Sequence, residues 1–316
     1  MSENIPVIDI AALDQAPALR GIDAACRDWG FFQVTHHGID DSVLRALFTA
    51  AHAFFDQPTP VKRTISRTEE NPWGFFDREL TKQTRDWKEV YDFGPGDGRL
   101  LVPQWPAGLP AFEPAVRNYY DRCNRLAERL LGAIAINLGS PPHALTRHFG
   151  DEQTSFVRLN YYPACPAPSA PSGISTPVDG FLGVNHHTDA GALTVLLQDD
   201  VAGLEVFRDG RWHLVEARRD ALVVNIGDIV QVWSNDRYTA ALHRVVVSSE
   251  VPRYSAPFFY NPSYDTKYAP LSTTIDDAHP PRYRAIKWGE FRSLRHAGDY
   301  ADRGEEVQIS HYALRS

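Results

Sequence analysis

Residues 187–206 read HTDAGALTVLLQDDVAGLEV, and their reading decides the fold. His187 and Asp189 come first, two positions apart. A turn at Gly191 leads into the apolar run 193–198, and Gly203 opens a second apolar run. The same punctuation continues on both sides. Candidate strands are 156–162, 181–186, 193–198, 203–207, 211–215, 221–225, 229–233, 241–247 and 254–260, separated by turns such as Asp209-Gly210, Gly227-Asp228 and Asn235-Asp236. Many short strands at this spacing indicate a sandwich, jelly roll or barrel rather than βαβ units. The expected fold class is mainly β with flanking helices.

Outside this region the period is helical. The opening IPVIDI reads as a strand, 16–29 as a helix, and 30–34 as a strand ending at His37-Gly38. Asp40 or Asp41 is placed to cap a helix running to Phe55, with Val43, Leu44, Leu47, Ala50, Ala51 and Phe54 on its apolar side. Residues 66–110 are rich in Pro, Gly and aromatics and predict an irregular stretch with short strands. A longer helix is expected over 112–138, stopped by Gly139, with a short successor after Ser140-Pro141. Helix returns around 288–296. The organisation expected is one catalytic unit: a helical and mixed buttress over 1–154, a jelly-roll core with a metal site over 155–262, and a helical extension over 263–316.

Composition narrows the function. The 316 residues are 43% hydrophobic, enough for a substantial core, and carry a net charge of −8. That charge argues against a nucleic-acid partner, whose backbone needs clustered Lys and Arg. No apolar run reaches the 18 residues that span a membrane, and the start lacks a signal peptide's basic and apolar regions. Cys26, Cys123 and Cys165 are odd in number and widely spaced, which suits free thiols in a reducing compartment. A cytoplasmic protein is expected, with a monomer plausible and the oligomeric state left open.

In a strand, residues i and i+2 share a face about 7 Å apart, so His187 and Asp189 point the same way. His243 lies in the strand-like 241–247. Two imidazoles and a carboxylate are the ligand set of a non-haem Fe(II) centre with open positions. They also make catalytic zinc sites, which need a general base and a positioned water nearby. A His-x-Asp arises about once by chance in a chain of this composition, so its neighbours decide. His36, His52, His143, His148 and His213 are read as ordinary histidines, and His186 points to the opposite face by alternation.

The neighbouring feature is an anion clamp. Arg253 and Ser255 are again i and i+2. If 241–247 and 253–260 form a hairpin across 248–252, with Val247 opposite Arg253, both face the side of His243. Arg253 then lies roughly 14 Å along the strand from the metal ligand. A long Arg side chain and a five-carbon diacid chelating the metal span that gap, and the Arg fork matches a carboxylate. A solvent-facing Arg is the competing reading. Asn160 and Tyr162 share a face of 156–162 and are placed to donate hydrogen bonds to such a co-substrate.

These pieces together resemble a known family. IPVIDI, WGFFQVTHHGI, ELTKQTRDWKEVYDF, RLNYYPACP, HTDAGALTVLLQDDVAGLEV, NIGDIVQVWSNDRYTAALHRV and the Arg253–Ser255 pair are similar to the isopenicillin N synthase-like branch of Fe(II)/2-oxoglutarate-dependent oxygenases, from about residue 5 to 260. The resemblance implies a double-stranded β-helix (jelly-roll) core, with iron on His187, Asp189 and His243. It implies 2-oxoglutarate on Arg253, Ser255, Tyr162 and Asn160, and O₂ as oxidant. The implied reaction hydroxylates or desaturates a small organic molecule of secondary metabolism and releases succinate and CO₂. Departures are His36, where the family carries Asn, and a longer Pro/Ser-rich stretch at 166–180. Two alternatives stand beside this: a 2-oxoglutarate-independent iron oxidase of the same family, and a non-catalytic jelly-roll binding protein. The substrate pocket is expected between 72–87, 166–180 and the C-terminal helix, with Arg78 or Arg85 meeting an acid.

Overall fold

The computed structural model describes residues 4–82, 84–95, 101–176, 178–297 and 307–314, with the side chains of 296 and 297 left aside. The C-terminal extension expected over 263–316 therefore lies partly outside the described residues. The strands are β1 (Val7–Asp9), β2 (Phe31–Thr35), β3 (Gly74–Phe76), β4 (Leu80–Thr81), β5 (Thr84–Arg85), β6 (Glu89–Phe93), β7 (Phe156–Tyr162) and β8 (Val184–His187). They continue with β9 (Leu193–Gln198), β10 (Leu204–Arg208), β11 (Arg211–Leu214), β12 (Ala221–Ile226), β13 (His243–Val245), β14 (Arg253–Tyr260), β15 (Lys267–Tyr268) and β16 (Ile286–Lys287). The helices are α1 (Ala16–Asp28), α2 (Asp41–Phe55), α3 (Thr59–Lys62), α4 (Phe112–Asn137), α5 (His143–Thr146), α6 (Asp228–Trp233) and α7 (Trp288–Ala297).

Two sheets face each other. The larger has the order β1-β2-β12-β9-β14-β7-β6-β3, the smaller β11-β10-β13-β8. At the centre of the large sheet, β9 (LTVLLQ) and β12 (ALVVNI) are buried at every position. One face meets the helices and the other the small sheet, so these strands read as continuous apolar runs instead of alternating. Four strands of this sheet, β1, β2, β3 and β6, come from before residue 154. The N-terminal segment thus completes the sheet that carries the site.

Helices α1, α2 and α4 cover the outer face. On α4, Val116, Tyr119, Cys123, Leu126, Leu130 and Ile134 are buried at three- and four-residue spacing. Tyr119 Oη donates to Ala256 O on β14 at 2.7 Å, and Asn137 Nδ2 donates to Leu19 O at 2.8 Å, tying the helix to the sheet and to α1. Asp40 occupies the N-cap of α2, but its side chain makes no capping bond. His36 takes φ 51°, a left-handed conformation that Asn adopts more readily than His.

Two expectations are overturned. Residues 229–233 are helix, within α6. The amides of Gly227, Asp228 and Ile229 bond to Ala192 O, Asp189 O and Gly191 O, so the chain leaves the sheet and closes on itself. A five-residue run that is apolar and buried except at Gln231 is too short for periodicity to tell a helix from a strand. The hairpin between 241–247 and 253–260 does not exist either. Strand β13 pairs with β8 and β10 in the small sheet, while β14 pairs with β7 and β9 in the large one. Residues 248–252 therefore cross between sheets.

Candidate metal centre and anion cradle

In the small sheet His243 pairs directly with His187, which brings together candidate ligands far apart in the chain. Asp189 follows two residues after His187, just past the end of β8. One donor atom from each of the three lies within 4.8 Å of the others, and both imidazole Nε2 atoms are 3.7 Å from Asp189 Oδ1. Donors about 2.0–2.2 Å from one ion have separations of this order.

The rest of each side chain is spoken for. His187 Nδ1 bonds Asn185 O at 2.9 Å and His243 Nδ1 bonds Ala241 O at 3.1 Å. As N–H donors to those carbonyls, both rings leave Nε2 with its lone pair toward the third ligand. Asp189 Oδ2 accepts from Thr194 Oγ1 and, at 2.8 Å, from Asn225 Nδ2, which leaves Oδ1 for a cation. Burial and the adjacent His243 hold His187 well below the usual imidazole value, so it is a neutral donor. Burial opposes the charge of Asp189, but His243, His187 and the bonds from Asn225 and Thr194 outweigh it and keep the carboxylate ionised. The ligand turn is packed too tightly for side chains: a Cβ on Gly227 would lie 2.3 Å from Gly191 O and 2.7 Å from Asp189 O.

The cradle lies on the facing sheet. Ser255 pairs with Asn160 and Arg253 with Tyr162, so register puts all four on the inner face. They line one cavity with the three metal-ligating candidates. Arg253 Nε donates to Val201 O at 3.1 Å and Nη2 to Gln198 Oε1 at 3.0 Å, and the guanidinium lies 5.2 Å from the Tyr162 ring. Its Nη1 is buried with no partner among the described residues, as are Asn160 Oδ1 and Gln198 Nε2. Buried polar atoms left unbonded are costly, so this trio fits a polar ligand. Gly203 makes room for the arginine, since a Cβ there would lie 3.2 Å from Arg253 Cδ.

The sequence reasoning put His243, Arg253 and Ser255 on one side of a single hairpin, whereas the structure brings all seven residues to one cavity from two facing sheets. His186 is absent from the cavity lining and its ring lies 6.4 Å from Trp212, as alternation requires. Arg78 and Arg85 do not line the cavity; Arg78 approaches Asp77 at 3.6 Å and Arg85 donates to Asp77 O at 3.3 Å. The cavity is lined in addition by Lys88, Arg158, Phe31, Pro257 and Phe259. Arg158 had a signal, since it shares strand parity with Asn160 and Tyr162. Lys88, Thr194 and Asn225 had none.

Comparison with known proteins places this geometry. Residues 153–262 match the 2OG-Fe(II) oxygenase superfamily model, and 5–108 match the model described as non-haem dioxygenase in morphine synthesis N-terminal. Jasmonate-induced oxygenase 4 of Arabidopsis thaliana is 33% identical over 298 residues, covering 92% of this chain and 82% of the relative. Gibberellin 20 oxidase 1-B of Triticum aestivum is 36% identical over 301 residues, covering 90% and 79%. Among solved structures, JOX2 in complex with 2OG, Fe and JA superposes with a TM-score of 0.80 at 32% identity, covering 92% of this chain and 84% of that one. A full-length Neurospora crassa protein crystallised with alpha-KG and thymine gives a TM-score of 0.81 at 26% identity, covering 94% and 98%.

Proposed function

Because this chain belongs to the 2OG-Fe(II) oxygenase superfamily, we propose that His187, Asp189 and His243 are its iron ligands and that Arg253, Ser255, Tyr162 and Asn160 hold its 2-oxoglutarate. The protein is an Fe(II)- and 2-oxoglutarate-dependent dioxygenase of small organic molecules, with a double-stranded β-helix core. Bound iron with O₂ supplies the oxidation, in which the substrate is hydroxylated or desaturated and 2-oxoglutarate leaves as succinate and CO₂.

The chain's own residues supply placement. His187, Asp189 and His243 would hold the iron as a three-donor set of two imidazoles and a carboxylate, the set of iron centres that keep positions for co-substrate and oxygen. Thr194 and Asn225 fix which carboxylate oxygen of Asp189 is offered. Arg253 Nη1 and the Ser255 hydroxyl receive the distal carboxylate, and Arg253's planar fork sets its orientation. Leu196, Leu204, Val245 and Phe31 wall the cavity and exclude water.

The observation that carries this reading is the buried, partnerless Arg253 Nη1 in the same cavity as a three-ligand cluster with free Nε2 and Oδ1 atoms. Titrating 2-oxoglutarate into anaerobic Fe(II)-loaded protein should produce a metal-to-ligand charge-transfer band. Aerobic turnover should then release succinate in proportion to substrate oxidised. A substrate oxidised without succinate would favour the 2-oxoglutarate-independent oxidase.

Three coarser points complete the proposal. Residues 1–154, 155–262 and 263–316 work as one catalytic unit, a reading supported by the four N-terminal strands in the large sheet. The enzyme acts in the cytoplasm without nucleic-acid or membrane partners. Its net charge of −8 speaks against a nucleic-acid backbone as partner, and among the described residues no helix is long and apolar enough to cross a membrane. Its substrate belongs to secondary metabolism, like the flavanone in the name of one relative, Flavanone 3-dioxygenase 2 of Oryza sativa subsp. japonica.

A further inference from the structure

Beside the metal cluster the cavity wall carries two cations, Lys88 and Arg158, that neither iron nor 2-oxoglutarate needs. Both belong to a buried network. Arg158 Nε and Nη2 donate to the two oxygens of Asp92 at 2.7 and 2.9 Å, and Nη1 donates to Glu79 Oε2 at 2.8 Å. Arg67 bridges Asp92 and Glu79 from behind at 2.6 and 2.8 Å. Lys88 Nζ reaches Glu79 Oε2 at 2.6 Å and Asp86 Oδ2 at 2.9 Å. Asp86 also accepts from the Asn185 amide at 3.3 Å, which ties the network to the strand of His187.

The two cations are not equally committed. The guanidinium of Arg158 is held on three sides by Asp92 and Glu79. An ammonium has three protons, and Lys88 spends two on Glu79 and Asp86. Neither carboxylate takes its third, and Lys88 lines the cavity close enough to Tyr162 and His187 for its charge to act on both. The charge count then limits what that proton meets. Among the described residues the network holds three cations, Arg67, Lys88 and Arg158, against three carboxylates, Glu79, Asp86 and Asp92. In the loaded site, iron and Arg253 together balance Asp189 and the two carboxylates of 2-oxoglutarate. A further anion would enter a buried space with no charge left to compensate it, at a large desolvation cost. Burial and Glu79 already raise Asp86 to about 6, even though Lys88 and Thr81 pull it down. The network is thus near its limit of negative charge.

We infer that Lys88 is a substrate-recognition residue, and that the group it takes is an uncharged oxygen acceptor, a ketone, lactam or amide carbonyl, rather than a carboxylate. This rests on the iron and 2-oxoglutarate assignment above and extends it to the substrate.

The test uses the full-length protein loaded anaerobically with Fe(II) and 2-oxoglutarate. A panel of small cyclic ketones, lactams and primary amides is added, each beside the carboxylate of the same skeleton, with thymine among the neutral members. Binding is read as a perturbation of the charge-transfer band. Binders should come from the neutral arm. The double variant Lys88→Met/Asp86→Asn removes one charge of each sign and keeps the network balanced. It should weaken the best neutral binder about ten- to a hundredfold, the size of a hydrogen bond to a charged donor, while leaving 2-oxoglutarate affinity unchanged. If that variant does not fold, Lys88→Arg replaces it; its bulkier head should lower the same affinity while the charge is kept. A silent neutral arm overturns the inference, whether or not a carboxylate binds, and so does a neutral binder unaffected by the folded variant. A charge-transfer band that never forms would instead sink the underlying iron and 2-oxoglutarate assignment.

Discussion

On its outer face the large sheet meets α1, α2 and α4 through an apolar cluster running from Ile8 to Phe291, whereas the apolar cluster between the two sheets holds eleven buried side chains among the described residues, four of them from the small sheet itself. The inner space is given to polar groups, and it holds Asn160 Oδ1, Gln198 Nε2 and Arg253 Nη1 without partners. Such atoms destabilise a fold, by about 1–3 kcal/mol for each unbonded group. They are tolerable because the outer face supplies apolar burial in excess. Strands β7, β9 and β14 present one side to each environment, so the same backbone carries stability on one face and chemistry on the other.

The sharpest way to break this comparison is at the metal cluster. His187→Ala, Asp189→Ala and His243→Ala should each abolish turnover, because a three-ligand site has no spare donor. The fold should persist, with circular dichroism and thermal unfolding close to the parent protein. Near-full activity in any one variant would remove that residue from the ligand set.

The opposite outcome is expected across the sheet. Phe54 is fully buried in α2 and contacts the rings of Phe55, Phe75, Tyr91 and Phe112. Phe54→Ala should cost about 3–5 kcal/mol of stability. Below its lowered melting temperature, the affinity for 2-oxoglutarate should be unchanged. A Phe54→Ala protein that melts normally but binds 2-oxoglutarate poorly would contradict the division between the faces.

Arg253→Lys sharpens the comparison within the inner face. Lysine keeps the charge but loses the planar fork, so bidentate contact with a carboxylate is lost. A charge-assisted hydrogen bond contributes about 1.5–3 kcal/mol, so the apparent KM for 2-oxoglutarate should rise roughly ten- to a hundredfold with iron affinity near normal. If the KM of the organic substrate rose instead, Arg253 would belong to substrate binding and the co-substrate-free oxidase would gain.

How much of this was legible follows from which signals are local. Strand parity is local, so the shared faces of His187 with Asp189, Arg253 with Ser255 and Asn160 with Tyr162 could be read without knowing the partner strands. Pairing is not local. The supposed hairpin gave the right facing for the wrong reason, because β13 and β14 approach the cavity from opposite sheets. The helical period exposed α1, α2 and α4, whose apolar stripes repeat over 13 to 26 residues. The six residues of α6, five of them buried, span less than two turns and were too short to show one. Thr194 and Asn225 belong to runs buried at every position, where a polar residue supporting Asp189 looks like any other core polar group. Lys88 is legible only once its partners Glu79 and Asp86 are seen to hold it beside the cavity.

The smallest effect expected is at Ser255. Its hydroxyl is buried and lies 3.3 Å from Asn160 Nδ2, which donates to it. Ser255→Ala removes a neutral donor while the Arg253 fork still holds the same carboxylate, so 2-oxoglutarate affinity should fall only about tenfold, the low end for a hydrogen bond to a charged group. The substitution also leaves Asn160 Nδ2 without its acceptor, beside an Oδ1 that has none in the free protein. The two residues should therefore act together. Asn160→Ala alone and the double variant complete a cycle whose coupling separates a shared contact from two independent ones. If 2-oxoglutarate is held by the pair, the double variant should lose less than the product of the single losses. Strictly multiplicative losses would mean that Ser255 and Asn160 meet different groups, and that the cradle is wider than the register of β7 against β14 implies.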